Sequence, residues 1–339
     1  MEYVEKALTT VTGLNLNRED LSNTISQTDG PMRPVSQAAK QVVAKNTTHQ
    51  WNEQGLNTAG RNNVAAAGPT YAEGALPPTN TKNAARKTNT TCRTGRTAQV
   101  TDDEIAAFNG GGAVVLADGE MERVIQDALD FETALATVEC LNQIEWMHVI
   151  GDSANATMEG LECDGLVKWV TANGLVVGAG STGTPITFAE TLLKDAGRGI
   201  AVKMPSSHPN TLLVPPELIP DINATIANGA GRPLVQVASG TNDGFVGGMS
   251  VDRYNTGFSK LAIKEEPYLS PAYNTAILQP GIVIYNDANV AHAQLRSFRA
   301  EGVARTDTSL KRTVTCVYTQ EHRVAKGTAI IPNVISAIA

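Results

Sequence analysis

Aromatic side chains are scarce: Phe, Trp and Tyr make up 5% of the 339 residues, with only three tryptophans. One dense aromatic core is therefore not expected. Apolar residues reach 42%, slightly low for a compact enzyme, while Asn, Thr, Ala and Gly are abundant, a composition that favours open loops and extended arms. No run approaches 18 apolar residues, which excludes a membrane-spanning helix. The N-terminus, MEYVEKALTT, has neither the basic start nor the apolar stretch of a signal peptide, so a cytosolic site of synthesis is expected. Without secretion, the glycosylation patterns at Asn46-Thr47-Thr48 and Asn89-Thr90-Thr91 carry no meaning. The four cysteines, Cys92, Cys140, Cys163 and Cys316, lack metal-ligand spacing, which points to buried free thiols in a reducing compartment, with disulfide pairing as the alternative. A net charge of −7 excludes a simple polyanion binder.

That charge is unevenly spread. Residues 30–101 hold Arg33, Lys40, Lys45, Arg61, Lys82, Arg86, Lys87, Arg93 and Arg96 against only Glu53 and Glu73, a local balance of +7 that leaves −14 for the rest. Within this stretch, residues 54–91 lack apolar periodicity, a length of irregular chain that inside a compact domain signals a binding arm or disorder. Its flanks, KNTTHQWNEQGL and RKTNTTCRTGRTAQVT, are Thr-rich and extended, with Thr90, Cys92 and Thr94 alternating. Together they predict a long antiparallel ribbon. A two-stranded ribbon is marginal alone and needs another surface, with Trp51 a candidate anchor.

The strongest helical signal follows, in LADGEMERVIQDALDFETALATVECLNQIEWMHVIGD. Met121, Val124, Ile125, Ala128, Phe131, Leu135, Val138, Leu141, Ile144 and His148 recur at three- and four-residue steps. The pattern predicts one helix over 117–150, capped by Asp118 and ended by Gly151, on the order of 45 Å long. Its other face carries Asp118, Glu120, Glu122, Asp127, Asp130, Glu132, Glu139 and Glu145, opposed only by Arg123. The basic arm and this acidic face could pair within one subunit or between copies; as exposed pairs each is worth less than about 1 kcal/mol, yet many repeated in a closed assembly would set register.

Mixed structure is expected beyond it. LVKWV is a short apolar piece, and TPITFAETLLKDAG predicts a capped helix from Thr184 or Thr187 to Gly197. NTLLVPPELIPDINATIANG predicts a strand, a Pro-initiated helix and a Gly stop. RPLVQVAS, KLAIKEEPYL and NTAILQPGIVIYN read as strands, and the chain end as a long hairpin or meander with Val314, Cys316, Tyr318 and Gln320 on one face. The fold class is α+β, with no internal repeat.

No catalytic, cofactor-binding or metal-ligating residue emerges. His49, His148, His208, His292 and His322 lack metal-helix spacing and a nucleophile context, and no G-x-S-x-G or Walker A pattern is present. Glu265 and Glu266 are adjacent on a strand and point to opposite faces, which favours a solvated edge over a catalytic pair. Gly178, Gly180 and Gly183 spell the dinucleotide G-x-G-x-x-G, so a nucleotide-binding enzyme is one alternative. Against it, Thr184-Pro185 breaks the helix the motif requires, and AVKMP stands where an acidic residue is needed.

The stretch DLSNTISQTDGPMRPVSQAAKQVVAKNTTHQWNEQGL, residues 20–56, resembles the N-terminal signature of a group of tailed-phage major capsid proteins, with Asp29-Gly30-Pro31-Met32 leading to Thr48-His49-Gln50-Trp51. LRSFRAEGVARTDTSLKRTVTCVYTQEHRVAKGTAIIPNV resembles that family's closing strands. The resemblance implies the Hong Kong 97 type capsid fold. Residues 1–45 would be an N-terminal arm, 46–100 an extension loop, 101–175 with 288–339 a peripheral domain around the spine helix 117–150, and 176–287 an axial domain. It implies a structural protein of the virion, not an enzyme, assembling with itself into hexamers and pentamers around weakly contacted double-stranded DNA. A portal protein and possible separate scaffold and decoration proteins are implied partners; no membrane and no cofactor are. A chain opening directly on the arm implies a separate scaffold or none. Some members join a loop lysine to a neighbour's asparagine; Lys82 and Lys87 are the lysines to compare, with no partner identified. An encapsulin-like compartment shell is the nearer alternative.

Overall fold

A computed structural model describes residues 25–26, 33–54, 73–76, 84–101, 113–115, 121–124, 128–154, 162–178, 184–204, 206, 208–227, 253–271, 281–305 and 308–337. The elements begin with β1 (Ile25–Ser26), α1 (Pro34–Ala38), β2 (Lys40–Val43), β3 (Thr48–Glu53), β4 (Ala85–Thr90) and β5 (Cys92–Thr101). β6 (Ala113–Val115), β7 (Met121–Val124), α2 (Ala128–Ile150) and α3 (Leu166–Asn173) follow. Next come β8 (Leu175–Val176), β9 (Ile186–Thr187), α4 (Glu190–Lys203), β10 (Thr211–Val214) and α5 (Ile219–Ala227). The last are β11 (Arg253–Asn255), β12 (Lys260–Glu265), β13 (Ile282–Tyr285), β14 (Val290–Gly302), β15 (Ser309–His322), β16 (Ala329–Ile331) and β17 (Val334–Ile335). The chain divides into two compact units: Met1–Gly30 with Thr97–Ala136 and Gly302–Thr313, and Pro31–Arg96 with Thr137–Glu301 and Val314–Ala339.

The second unit is organised on a six-stranded sheet of order β11-β12-β10-β13-β16-β8. Three of its four inner strands, TLLV, IVIY and AII, are buried at every residue, because both faces are covered. Leu212, Val214, Ile282, Ile284, Ala329 and Ile331 pack with Leu193, Ala196 and Ile200 of α4 and with Leu218 and Ile222. From the other face, Leu213, Val283, Tyr285 and Ile330 meet Val149 of α2, Leu166 and Val170 of α3, and Val35 and Ala39 around α1. Each of these strands therefore feeds two cores, which is why its sequence reads as a continuous apolar run. Pro216, at the first position of the helical turn Pro216–Leu218, starts the path into α5 as expected from PPELIP.

A four-stranded sheet of order β2-β14-β15-β5 carries the predicted terminal hairpin. β14 and β15 are neighbours joined by residues 303–308, a connection too short for anything but an antiparallel return. β2 pairs parallel to β14, with Ala291 opposite Lys40 and Gln294 opposite Val43. On β15, Val314, Cys316, Tyr318 and Gln320 are buried as the alternation predicts, but so are Val317 and Thr319, since this half of the strand is covered on both faces.

Several expectations are corrected. The helix expected over 117–150 starts at Ala128. Met121–Val124 instead forms a strand paired antiparallel to Ala113–Val115, which itself lies parallel to Ile25–Ser26. The sequence between those strands contains Asp118-Gly119, a dipeptide suited to hairpin connections, and Asp118 precedes the observed helix start by ten positions, so it does not cap α2. LVKWV lies within the helix α3. The TPITF segment opens with the strand β9, paired to β17, so the next helix starts at Glu190 and runs through Gly197 and Gly199 to Lys203. RPLVQVAS falls outside the described residues.

Gly151 does follow the long helix, where a Cβ would clash with the Cys163 carbonyl oxygen. Gly165 lies against the exit: a Cβ there would sit 2.7 Å from the Met147 carbonyl oxygen and 2.8 Å from the Gly151 nitrogen. Gly165 N–H also donates to the Gly151 carbonyl at 2.7 Å. Gly165→Ala should therefore force α2 and α3 apart and destabilise the unit by about 1–3 kcal/mol. Chemical denaturation of the variant checks this.

Candidate assembly surface

The predicted ribbon exists. β3 and β4 pair antiparallel from Thr48 opposite Thr90 to Glu53 opposite Ala85. Residues 73–76, the only described part of its outer portion, are exposed, with Leu76 at 92%. The base is fixed to its own chain. Trp51 is buried against Trp169 of α3, ring centroids 5.4 Å apart, with His49 stacked beside it at 5.9 Å. The Asn89 amide donates to the carbonyls of Asp164 (3.0 Å) and Gln320 (2.8 Å) and accepts from Asp164 N–H at 2.9 Å. Thr319 Oγ1 donates to the Thr90 carbonyl at 2.9 Å, and His49 Nε2 lies 3.4 Å from Glu321. Trp51 is thus the arm anchor its position suggested, and the buried Asn89 is a second anchor that its sequence context did not reveal.

The charges divide between two destinations. Arg96 meets Glu139 of α2 at 3.0 Å within the same subunit, and Arg312 meets Asp130 at 2.6 Å. Arg96 and Glu139 are both more than half exposed, so this pair adds less than about 1 kcal/mol. Lys87 Nζ lies 3.4 Å from Asn173 Oδ1 of its own chain. Lys82 and Arg61 fall outside the described residues, as do Asp118, Glu120 and Asp127; Arg86 stands exposed on β4 of the ribbon and Arg93 on β5 of the four-stranded sheet. Glu145 does not belong to the acidic surface: it is fully buried.

α2 is apolar on more than one side. Its buried line is Leu129, Ala136, Cys140, Ile144, His148 and Val149, of which Ile144 joins Cys92, Cys163, Cys316 and Tyr318 in one core cluster. Phe131, Leu135 and Val138, expected to face the core, are half-exposed. Ala128, Ile144 and His148 of the expected stripe are buried, and in the first half of the helix the residues that pack fully inside are mostly small.

The remaining sequence candidates form no reaction centre among the described residues. All four cysteines are free and buried, with Cys92 and Cys163 sulfurs 3.4 Å apart. His148 and His292, 144 positions apart in sequence, are brought together in the core: His292 Nδ1 lies 3.0 Å from His148 Nε2, and both rings pack on Tyr318. His208 is exposed and His322 buried. Glu265 is exposed as expected of an edge, whereas Glu266 is fully buried, which overturns that reading for the second carboxyl. Gly178 adopts φ +77° after β8, but the next helix begins only at Glu190, beyond an intervening strand, and its first turn carries a carboxylate. A dinucleotide site needs the helix N-terminus directly after the glycine turn, so this geometry does not support one. No helix among the described residues is long and apolar enough to cross a membrane.

The architecture has relatives. A capsid structure from the cyanophage P-SCSP1u is similar over 99% of this chain and 97% of its own, with TM-score 0.57 and 10% identity. Structures from Microbacterium phage Oxtober96 (TM-score 0.62, 11% identity, 96% of this chain and 98% of that one) and Gordonia phage Cozz (0.59, 11%, 98% and 97%) share the fold as well. No curated protein matches the chain. At such identities the likeness speaks for the fold, which is that of tailed-phage capsids. The family model of the SU10 major capsid protein matches residues 8–335, and the chain therefore belongs to the SU10 major capsid protein family.

Proposed function

We propose that this shell protein closes into hexamers and pentamers of an icosahedral head around double-stranded DNA, the ribbon of each subunit lying over a neighbour. The observation that carries the reading is the ribbon itself. Its base is pinned by Trp51 and Asn89, while Arg86 on β4 and Leu76 in its outer portion stand exposed on one subunit. Residues 1–45 serve as the N-terminal arm and 46–100 as the extension loop. Residues 101–175 and 288–339 form the peripheral domain, its spine helix shortened to 128–150, and 176–287 form the axial domain. A net charge of −7 suits a container whose lining must let packed DNA slide, so DNA contact is weak and sequence-independent. A portal protein, and any separate scaffold or decoration protein, would join from outside this chain.

Electron microscopy of the expressed protein tests assembly: closed shells or capsomer rings are expected, and small monodisperse particles under all conditions would oppose it. Cargo protein inside purified particles, in place of portal and DNA, would turn the reading to an encapsulin-like compartment. Reversing Arg86, Lys87, Arg93 and Arg96 to Glu should lower shell yield about tenfold or more while leaving the monomer folded. Arg96 and Lys87 meet Glu139 and Asn173 of their own chain, so the loss between subunits falls on Arg86 and Arg93; each exposed pair contributes under about 1 kcal/mol, but repetition on every subunit compounds it. Sedimentation of the variant against wild type reads the outcome.

A further inference from the structure

The arrangement around α1 has a chemistry that shell formation does not require. Glu145, in the last third of α2, is fully buried and accepts the backbone N–H of Val35 at 2.6 Å and of Ser36 at 2.7 Å. These are orphan donors of the first turn of α1, and Arg33 before it provides no side-chain cap. A carboxylate supplied from another helix is thus the cap. Glu266, at the end of β12, is also fully buried and lies against Glu145. One of its oxygens caps the turn Pro267–Leu269 by accepting Tyr268 N–H at 3.2 Å; the other has no hydrogen-bond partner of ordinary geometry.

We propose that the Glu145–Glu266 pair is a proton-operated catch on the N-terminal segment Arg33–Val43: one proton held between the two carboxyls lets Glu145 grip α1, and loss of that proton frees the segment. Two ionised carboxylates cannot share a dry site, whereas a neutral Glu266 can donate its O–H to the charge on Glu145. The other groups facing the pair strengthen this logic. They are the phenols of Tyr268 and Tyr285 and, next to Tyr285, the Asp287 carboxylate, which is held 3.0 Å from Lys264. Burial, and then the charge of Glu145, push Glu266 up to about 9, so the catch is closed at neutral pH.

When the proton leaves, one side must move, and α1 is the side held more weakly. Glu266 is fixed within continuous backbone bonding: its N–H donates to the Val214 carbonyl at 2.9 Å, and Leu269 N–H returns to its own carbonyl at 3.2 Å. The α1 segment is five helical residues followed by β2, which pairs along β14 and exposes Val43 at 72%. Release therefore uncovers Val35 and Ala39 while the sheet beneath stays intact.

Trypsin cleavage after Lys40 reads the state of the segment. The full-length chain is digested between pH 7.5 and pH 10, with rates normalised to a free peptide of residues 36–45 so that the protease's own pH profile cancels. Wild type should show a normalised rise of about tenfold or more across that range, following the ionised fraction of Glu266. Glu266→Gln, which keeps the donor and cannot ionise, should be flat. A flat wild type, or a Glu266→Gln variant that rises like wild type, overturns the proposal. Circular dichroism establishes that the variant is folded. If it is not, Glu145→Gln decides: cleavage should be fast at every pH, and survival of the wild-type step in that variant refutes the catch.

Discussion

Trp51→Ala should detach the ribbon from its own subunit at a cost of about 3–5 kcal/mol, the range for deleting a buried indole. Trp51 is 8% exposed and packs on Trp169 on one side and His49 on the other, so its removal opens a cavity that β3 alone cannot fill. The lost packing falls on a two-stranded element that has little stability of its own. What remains at the base holds mainly β4, through the three bonds of Asn89 to Asp164 and Gln320 and through Thr319 on the Thr90 carbonyl, while β3 keeps its pairing with β4 and the 3.4 Å contact of His49 with Glu321. The expected result is specific: hydrogen exchange becomes fast over residues 48–53 while β10 and β13, buried on both faces, keep their protection. Assembly should fail with it, because a ribbon that swings freely loses the entropy advantage of a pre-set direction. Global loss of protection in the variant would instead make Trp51 an ordinary core residue, and no change would deny it any anchoring role.

How legible this was in the sequence depends on the range of the interactions. The ribbon announced itself because its evidence is local: alternating Thr and Cys, a polar centre and a basic excess within residues 30–101. The terminal strands and the Pro-started turn before α5 were local too. The start of α2 was misjudged because Met121 and Val124 continue a helical spacing by chance, while pairing with Ala113–Val115 decides their conformation. The buried roles of Glu145, Glu266, His148 and His292 were not legible at all. A carboxylate on a helix otherwise rich in acidic residues looks solvated until a backbone from 110 positions away arrives to donate to it. Two histidines separated by 144 positions carry no spacing signal. Burial of polar groups is a property of the assembled layers, and composition sees only their polarity.

That same core histidine pair makes the last prediction, a loss of stability on acidification. His148 and His292 are buried with rings 4.9 Å apart and 3.0 Å between facing nitrogens, so one N–H donates to the other's lone pair and both rings are neutral. Burial drives both below the usual histidine range, His292 down to about 4, and a charge on His292 further opposes one on His148. The sign follows from linkage: the unfolded chain binds these protons near pH 6.5 and the folded chain does not, so stability is full above that value and falls as pH drops toward 4. His292 alone should account for about 3 kcal/mol over this window. The consequence is placed where it matters, since His148 sits on α2, His292 on β14 and Tyr318, against which both pack, on β15. Charging the pair would part the long helix from the terminal hairpin. Urea denaturation at pH 7 and pH 4.5 measures the effect, and His148→Gln with His292→Phe should flatten the acid limb relative to wild type. An acid limb of unchanged depth in that double variant would assign the loss to other groups, such as His322, which burial also holds at about 4.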